Sequence, residues 1–189
     1  MIIPVVNVGG QYNHLITRVL VEVGAESELV PISITKKEIE KAKGLVIGGG
    51  PQRIASEIDK LTTLSALIRE IEIPILGLCL AHQLIAIIFG GKAGPAKFPE
   101  YGPVKVFVKE KDDILKGFPK VFTAWASHND EVLSLPKNFE ILAYSKHCKV
   151  EVMKHVNKPI FGVQFHPEVS HTEHGKKMFE NFVRICEDH

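Results

Sequence analysis

Three short segments hold the residue types needed for acyl transfer. They are Cys79 in "GLCLA", His166 and Glu168 in "FHPE", and the glycines of "GGGP" ending at Pro51. A thiol nucleophile needs a base, and the base needs a third group to fix its tautomer and direction. A nucleophile at the apex of a sharp strand-to-helix turn needs small residues two positions to either side; Gly77 and Ala81 stand there. Such a turn aims the side chain outward and places the Leu80 N–H where an oxyanion would form. The helix N-terminus beneath it favours thiolate over thiol. In an extended backbone, side chains two apart point the same way. His166 and Glu168 can therefore pair as imidazole and carboxylate, with Pro167 stiffening the segment. Glycines after a strand expose backbone N–H groups and offer a second oxyanion donor. Taken singly, each feature has a plainer explanation: a buried structural cysteine, a chance His-x-Glu in a surface turn, and an ordinary tight turn. Taken together they describe one Cys-His-Glu acyl-transfer site.

That site requires elements that bring residues 79 and 166 to the same rim. The first half of the chain alternates short β-branched runs with amphipathic ones. "IIPVVNV", "SELVPIS", "GLVIGGGP" and "IPILGLC" read as strands. "YNHLITRVLVEVG", "SEIDKLTTLSALIREI" and "LAHQLIAIIFGG" read as helices, two of them closed by glycine. "TKKEIEKAK" has Thr35 and Glu38 at capping-box spacing, which predicts a short helix there. Strands alternating with helices argue for a parallel sheet covered on both faces. In the second half, "YGPVKVFVKE", "VFTAWASHND", "EILAYS", "KVEVMKH" and "KPIFGVQFHPE" read as further strands, expected as an antiparallel extension. "EHGKKMFENFVRICEDH" closes the chain as an amphipathic helix, with Phe179, Phe182, Val183 and Cys186 on one side. The expected fold is α/β, an open and mostly parallel sheet flanked by helices, in a single domain over residues 1–189. Ligands of such sheets gather at the carboxyl ends of the strands, where all three motifs fall.

Composition narrows the function. Hydrophobic residues make up 45% and charged residues 24% of the 189 positions, as in ordinary globular proteins. The net charge of +1 gives no electrostatic case for nucleic acid or a membrane surface. No apolar run suggests a membrane span, and the N-terminus does not read as a secretion signal, so the cytoplasm is the expected compartment. Cys79, Cys148 and Cys186 are too few and too scattered for a disulfide framework or a zinc site. His166, His171 and His174 with Glu173 fit no strong zinc template either, so no metal site is expected. Trp125 reads as core or interface.

With those residues in place the sequence resembles the class I glutamine amidotransferases. "GLCLAHQ" is similar to that family's G-x-C-x-G-x-Q segment and "GVQFHPE" to its G-V-Q-F-H-P-E segment. Within the family, "GGQYNHLITR", "EYGPVKV", "ASHND" and "HPEVSHTEHG" resemble the glutaminase part of GMP synthetase. The resemblance runs from about Val5 to about Gly175 and implies a flavodoxin-like fold. It implies Cys79 as nucleophile, His166 as base and then acid, and Glu168 as orienter. Gly50 and Leu80 would give the oxyanion N–H groups. Gln83 and the segment Ser127, His128, Asn129 and Asp130 would hold the amino-acid end of glutamine. Two positions depart from the pattern. Ala81 stands where the family has Gly and is small enough. Asn129 stands where the subgroup has Gly, and Asn tolerates left-handed dihedrals. The chain lacks the Ser-Gly-Gly-Val-Asp-Ser phosphate loop of an ATP-pyrophosphatase. The resemblance therefore implies a separate synthetase subunit that binds ATP and Mg²⁺, with no cofactor on this chain. The rival within the chemistry is the glutaminase subunit of anthranilate or aminodeoxychorismate synthase, which carries Arg-Tyr-His-Ser-Leu where this chain has "WASHND".

Overall fold

The computed structural model describes residues 1–111 and 113–189. Nine strands form one sheet in the order β2-β1-β3-β4-β9-β8-β7-β5-β6. The parallel half comprises β1 (Val5–Asn7), β2 (Leu29–Pro31), β3 (Leu45–Ile47), β4 (Ile75–Leu78) and β9 (Ile160–Val163). Its order, 2-1-3-4 followed by the late β9, is that of flavodoxin-like sheets, whose strand order reverses between β1 and β3. The antiparallel half comprises β5 (Lys92–Val108), β6 (Val121–Ser134), β7 (Phe139–Ser145) and β8 (Val152–His155). Four pairings are parallel and four antiparallel, so the extension is as large as the parallel part.

The central strands are buried on both faces because their alternate residues serve two layers. Val5, Val46, Leu76 and Val163 face one layer with Ile16 and Leu20 of α1 (Asn13–Glu22) and Phe179 and Phe182 of α5 (Gly175–Asp188). Val6, Leu45, Ile47 and Ile75 face the other, against Leu64, Leu67 and Ile68 of α3 (Thr62–Glu70) and Leu84 and Ile85 of α4 (Leu80–Ile88). The apolar side expected for the last helix is therefore its buried side.

Three expectations need correction. Thr35 and Glu38 make the box contacts, the Thr35 N–H and hydroxyl donating to Glu38 Oε2 at 2.8 and 2.6 Å, yet residues 35–41 form successive turns rather than a helix. The segment is too short to repay helix nucleation. The single helix expected over 56–71 is divided into α2 (Ile54–Glu57), a 3₁₀ turn (Ile58–Leu61) and α3. The Thr62 hydroxyl donates to the Asp59 carbonyl, an i−3 contact that suits the tighter winding. Finally, β9 ends at Val163, so "FHPE" lies beyond the strand, in a turn. Among the described residues no helix is long and apolar enough to cross a membrane.

Candidate active site

The carboxyl ends of β1, β3 and β4 and the turn after β9 open on one cleft of about 370 Å³, lined by Gly10, Tyr12, Gly50, Cys79, His166 and Glu168 among others. It lies beside the β1/β3 switch point, where ligands of open α/β sheets collect.

Cys79 stands between β4 and α4 with φ 52° and ψ −105°, a conformation L-residues rarely adopt. The turn is that tight because α4 starts at once. A Cβ on Gly77 would lie 3.1 Å from the Ala81 carbonyl group, and Gly77 also packs against the Ile85 side chain. Ala81 is itself buried, 1% exposed. Leu80 is the first residue of α4, so its N–H is one of the donors a helix leaves without an intrahelical partner.

The imidazole of His166 stands beside Cys79 on one side, both reaching within 3.6 Å of where a Cβ on Gly49 would sit. On the other, Nδ1 lies 2.7 Å from Glu168 Oε1. The contact expected from an extended His-Pro-Glu is thus made, but by a turn that is clamped from outside. The His166 N–H donates to the Trp125 carbonyl at 2.9 Å, and the Thr172 hydroxyl donates to the His166 carbonyl at 2.6 Å while accepting the Trp125 N–H. Burial opposes a charge on His166, but the neighbouring Cys79 and then Glu168 outweigh it. The ring is held well above its ordinary pKa. That ordering favours imidazolium beside sulfur at neutral pH.

The glycine loop is aimed by residues to which sequence reasoning gave no role. The Gly49 carbonyl accepts the Gly10 N–H at 3.1 Å and Asn13 Nδ2 at 3.2 Å. In a trans peptide the N–H points opposite the carbonyl, so the Gly50 N–H is turned away from the β1–α1 turn. A Cβ on Gly49 would sit 3.4 Å from Cys79 Cβ and 3.6 Å from His166 Cε1, which places this loop directly against the thiol and the imidazole. Tyr12 adds an edge-on ring contact to His166, with centroids 5.2 Å apart. Gly10, Tyr12 and Asn13 all belong to the one segment "GGQYN", which is their signal in the sequence.

The residues expected to hold glutamine also line the cleft, in different ways. Gln83 is buried and donates from Nε2 to the Asp130 carbonyl at 2.7 Å and to Gln164 Oε1 at 3.1 Å. Gln164 in turn points Nε2 at Cys79 Sγ, 3.7 Å away. The Ser127 carbonyl lies 3.8 Å from the same sulfur. Asn129 is exposed within β6 and is not among the positive-φ residues, so the left-handed tolerance of asparagine plays no part. The Asp130 carboxylate accepts the Ile54 N–H at 3.0 Å and pairs with Arg53 at 3.2 Å, bringing an unforeseen cation to the rim. Both ring nitrogens of His128 are committed, Nδ1 to the Asp130 carbonyl at 2.9 Å and Nε2 to Glu100 at 3.0 Å. Its ring is thus occupied within the protein.

His171, His174 and Glu173 do not converge. His171 packs on Trp125, His174 lies against Phe118, and Glu173 accepts the Thr123 N–H. All three cysteines are free.

Comparison with known proteins agrees with this geometry. The family described as glutamine amidotransferase class-I matches residues 4–186. A relative from Methanococcus aeolicus, named as one of the subunits of a glutamine-hydrolyzing GMP synthase, is 49% identical over 97% of each chain. Its counterpart of the same name from Methanocaldococcus jannaschii is 46% identical over the same shares. A crystal structure from Thermoplasma acidophilum, likewise described as one GMP synthase subunit, superimposes with a TM-score of 0.95 at 41% identity, covering 100% of this chain and 94% of that one. A glutamine amidotransferase from Thermotoga maritima shares the fold, with a TM-score of 0.78 at 21% identity, over 100% of this chain and 83% of that one. A thiol at a strained strand-to-helix turn, an imidazole–carboxylate pair and an agreement spanning nearly every residue lead to one family: the chain belongs to the class-I glutamine amidotransferases.

Proposed function

We propose that this chain is the glutamine-hydrolysing subunit of a two-subunit GMP synthetase, with Cys79, His166 and Glu168 as its catalytic residues. The observation that carries the reading is the His166 ring, hydrogen-bonded to Glu168 and standing with Cys79 against one glycine loop. The pathway rests on the names of relatives matched over nearly their full length.

In this reading the side-chain amide of glutamine lies over Cys79, with its amino-acid end toward Gln83 and Ser127–Asp130. The thiolate attacks the amide carbon and an oxyanion forms. The N–H groups of Leu80 and Gly50 stabilise it; one such donor is typically worth about 3–4 kcal/mol. The carbon–nitrogen bond breaks as His166 hands its proton to the departing ammonia, leaving a γ-glutamyl thioester. His166 then takes a proton from water, which attacks the thioester and releases glutamate. Glu168 keeps Nδ1 engaged throughout, so that Nε2 faces the sulfur.

The ammonia passes to a separate subunit that binds ATP and Mg²⁺ and aminates xanthosine monophosphate in the cytoplasm. Docking of that subunit raises glutaminase turnover, because partner binding completes such sites.

The test has two parts. A glutamine-mimicking electrophile should label Cys79 in peptide maps, and Cys79→Ala should abolish glutamine hydrolysis with the fold intact. Turnover unchanged in that variant refutes the nucleophile. Mixing the chain with a candidate synthetase should give glutamine-dependent GMP formation. Glutamine-dependent amination of chorismate in place of xanthosine monophosphate would instead select the anthranilate-type reading.

A further inference from the structure

Close to the glutamine cleft lies a buried polar cluster that the chemistry above does not use. Glu100 comes from β5, His128 from β6, and Cys148 and Glu151 from the connection between β7 and β8. One ligand-capable atom of each lies within 4.8 Å of the others, and all four residues are buried. The hydrogen-bond inventory does not close with every group in its ordinary form. The Asp130 carbonyl can only accept, so His128 Nδ1 carries a hydrogen. His128 Nε2 faces Glu100 Oε2, and Ser145 Oγ donates to Glu100 Oε1 at 2.6 Å. Glu151 is fully buried and neither of its oxygens meets a donor. Glu100, His128 and Cys148 lie within 4.8 Å of it, but the Cys148 thiol donates to the Val150 carbonyl and the Ser145 hydroxyl to Glu100. Two carboxylates out of water with oxygens within 4.8 Å of each other do not both stay ionised.

We propose that Glu151 is a neutral carboxylic acid donating its proton to Glu100, and that Glu151, Glu100 and His128 are positioning residues for the amino-acid end of the glutamine cleft. The second half rests on the functional reading above; the first does not. Glu100 stays ionised because the hydrogen bonds from His128, Glu151 and Ser145 outweigh the burial that resists its charge. Burial, then the Glu100 charge, drive Glu151 the other way, well above the usual carboxyl range. The groups around the cluster do not neutralise Glu151 otherwise. Glu131 is itself pushed up by burial, Lys149 is exposed, Cys148 is driven far up by burial, and burial holds His82 neutral, down at about 3. From Glu151 a continuous path then runs to the thiol: Glu100, His128, the Asp130 carbonyl, Gln83, Gln164 and Cys79 Sγ. Removing the proton at its far end would leave Glu100 short of a donor and loosen the carbonyl that orients Gln83.

Infrared spectra of the full chain at pH 7 test the proton directly. A neutral-carboxyl stretch is expected in the wild type and should be lost in Glu151→Gln. Its absence from the wild type overturns the proposal, as does one equivalent of zinc or iron retained on purification, since the same four donors would then be holding a metal. Kinetics in the presence of the synthetase subunit test the positioning. Glu151→Gln keeps a donor toward Glu100 and should hold the KM for glutamine within about twofold. Glu151→Leu removes the donor and should raise KM about tenfold while kcat changes far less. A folded Glu151→Leu with the wild-type KM overturns the positioning role. Because the infrared band does not depend on turnover, a chain that shows the band but hydrolyses no glutamine would count against the functional reading alone.

Discussion

The difference in stability between Cys79→Gly and Cys79→Ala measures the strain stored at the strand-to-helix turn. At an ordinary buried position glycine is the worse residue. It loses about 0.5–1 kcal/mol to backbone entropy and about 0.8 kcal/mol for the missing buried methyl group. Cys79 is not ordinary: at φ 52° and ψ −105° any side chain is held in a sparsely populated region, at a cost of about 1–3 kcal/mol. Glycine is free of that cost and alanine is not. The terms largely offset each other, so Cys79→Gly should lie between about 0.8 kcal/mol below and about 1.7 kcal/mol above Cys79→Ala, centred slightly above it. Ala81→Gly against the wild type is the control two residues on, buried in α4 with helical geometry; there glycine should lose about 1–2 kcal/mol. Urea titrations with equal m-values decide it. In thermal melts each kcal/mol corresponds to about 2–4 °C for a chain of this size. If Cys79→Gly falls below Cys79→Ala by the margin seen at position 81, the turn stores no strain and the account of the elbow is wrong.

The His166–Glu168 pair has its own signature. Because His166 is held above its unfolded pKa of about 6.5, the stability that Glu168 adds is present in full below that pH and is lost as pH rises through the folded value. The gap between wild type and Glu168→Gln should therefore be widest near pH 6 and narrow toward alkaline pH; a gap that widens instead contradicts the pairing. The same variant should lose roughly 10²–10⁴ in kcat. Gly49→Ala should fold normally, since its methyl would make contacts of 3.4 and 3.6 Å, but kcat should fall at least about tenfold because the methyl stands against both reacting side chains; wild-type turnover would place the substrate elsewhere. Thr172→Val removes two hydrogen bonds that hold His166 and Trp125 together. It should cost about 1–3 kcal/mol in denaturant titrations and lower kcat more than it raises the KM for glutamine.

What could be read from the chain was local. The apolar runs of β1, β3 and β4 declare themselves because both faces of a central parallel strand are buried, and Gly77 and Ala81 mark the nucleophile turn because the backbone there leaves no space. What could not be read depends on contacts between distant segments. The capping box at Thr35 was real chemistry without a helix, since a cap cannot hold a helix too short to nucleate. The His166–Glu168 pair is legible as His-x-Glu, but its geometry comes from a turn held by Trp125 and Thr172, not from a strand. Glu151 gave no signal, because a glutamate in "KVEVMKH" looks ordinary until β5, β6 and β7 surround it.

The antiparallel half explains why so much of the site was hidden. Thr123 and Trp125 of β6 hold the backbone that carries His166, the Ser127 carbonyl lies at the sulfur, His128 engages the buried acids, and Asp130 fixes Gln83, Arg53 and the start of α2. Between positions 123 and 130 each of these residues turns to a different neighbour, and the strand pairs only with β5, at the sheet edge. A parallel sheet alone could present the thiol and the oxyanion donors. Holding Gln83, the imidazole and the thiol in one frame takes a strand that touches all three. Nothing in a period-two pattern distinguishes such a strand from a plain edge, so the sequence shows where the thiol stands long before it shows what aligns it.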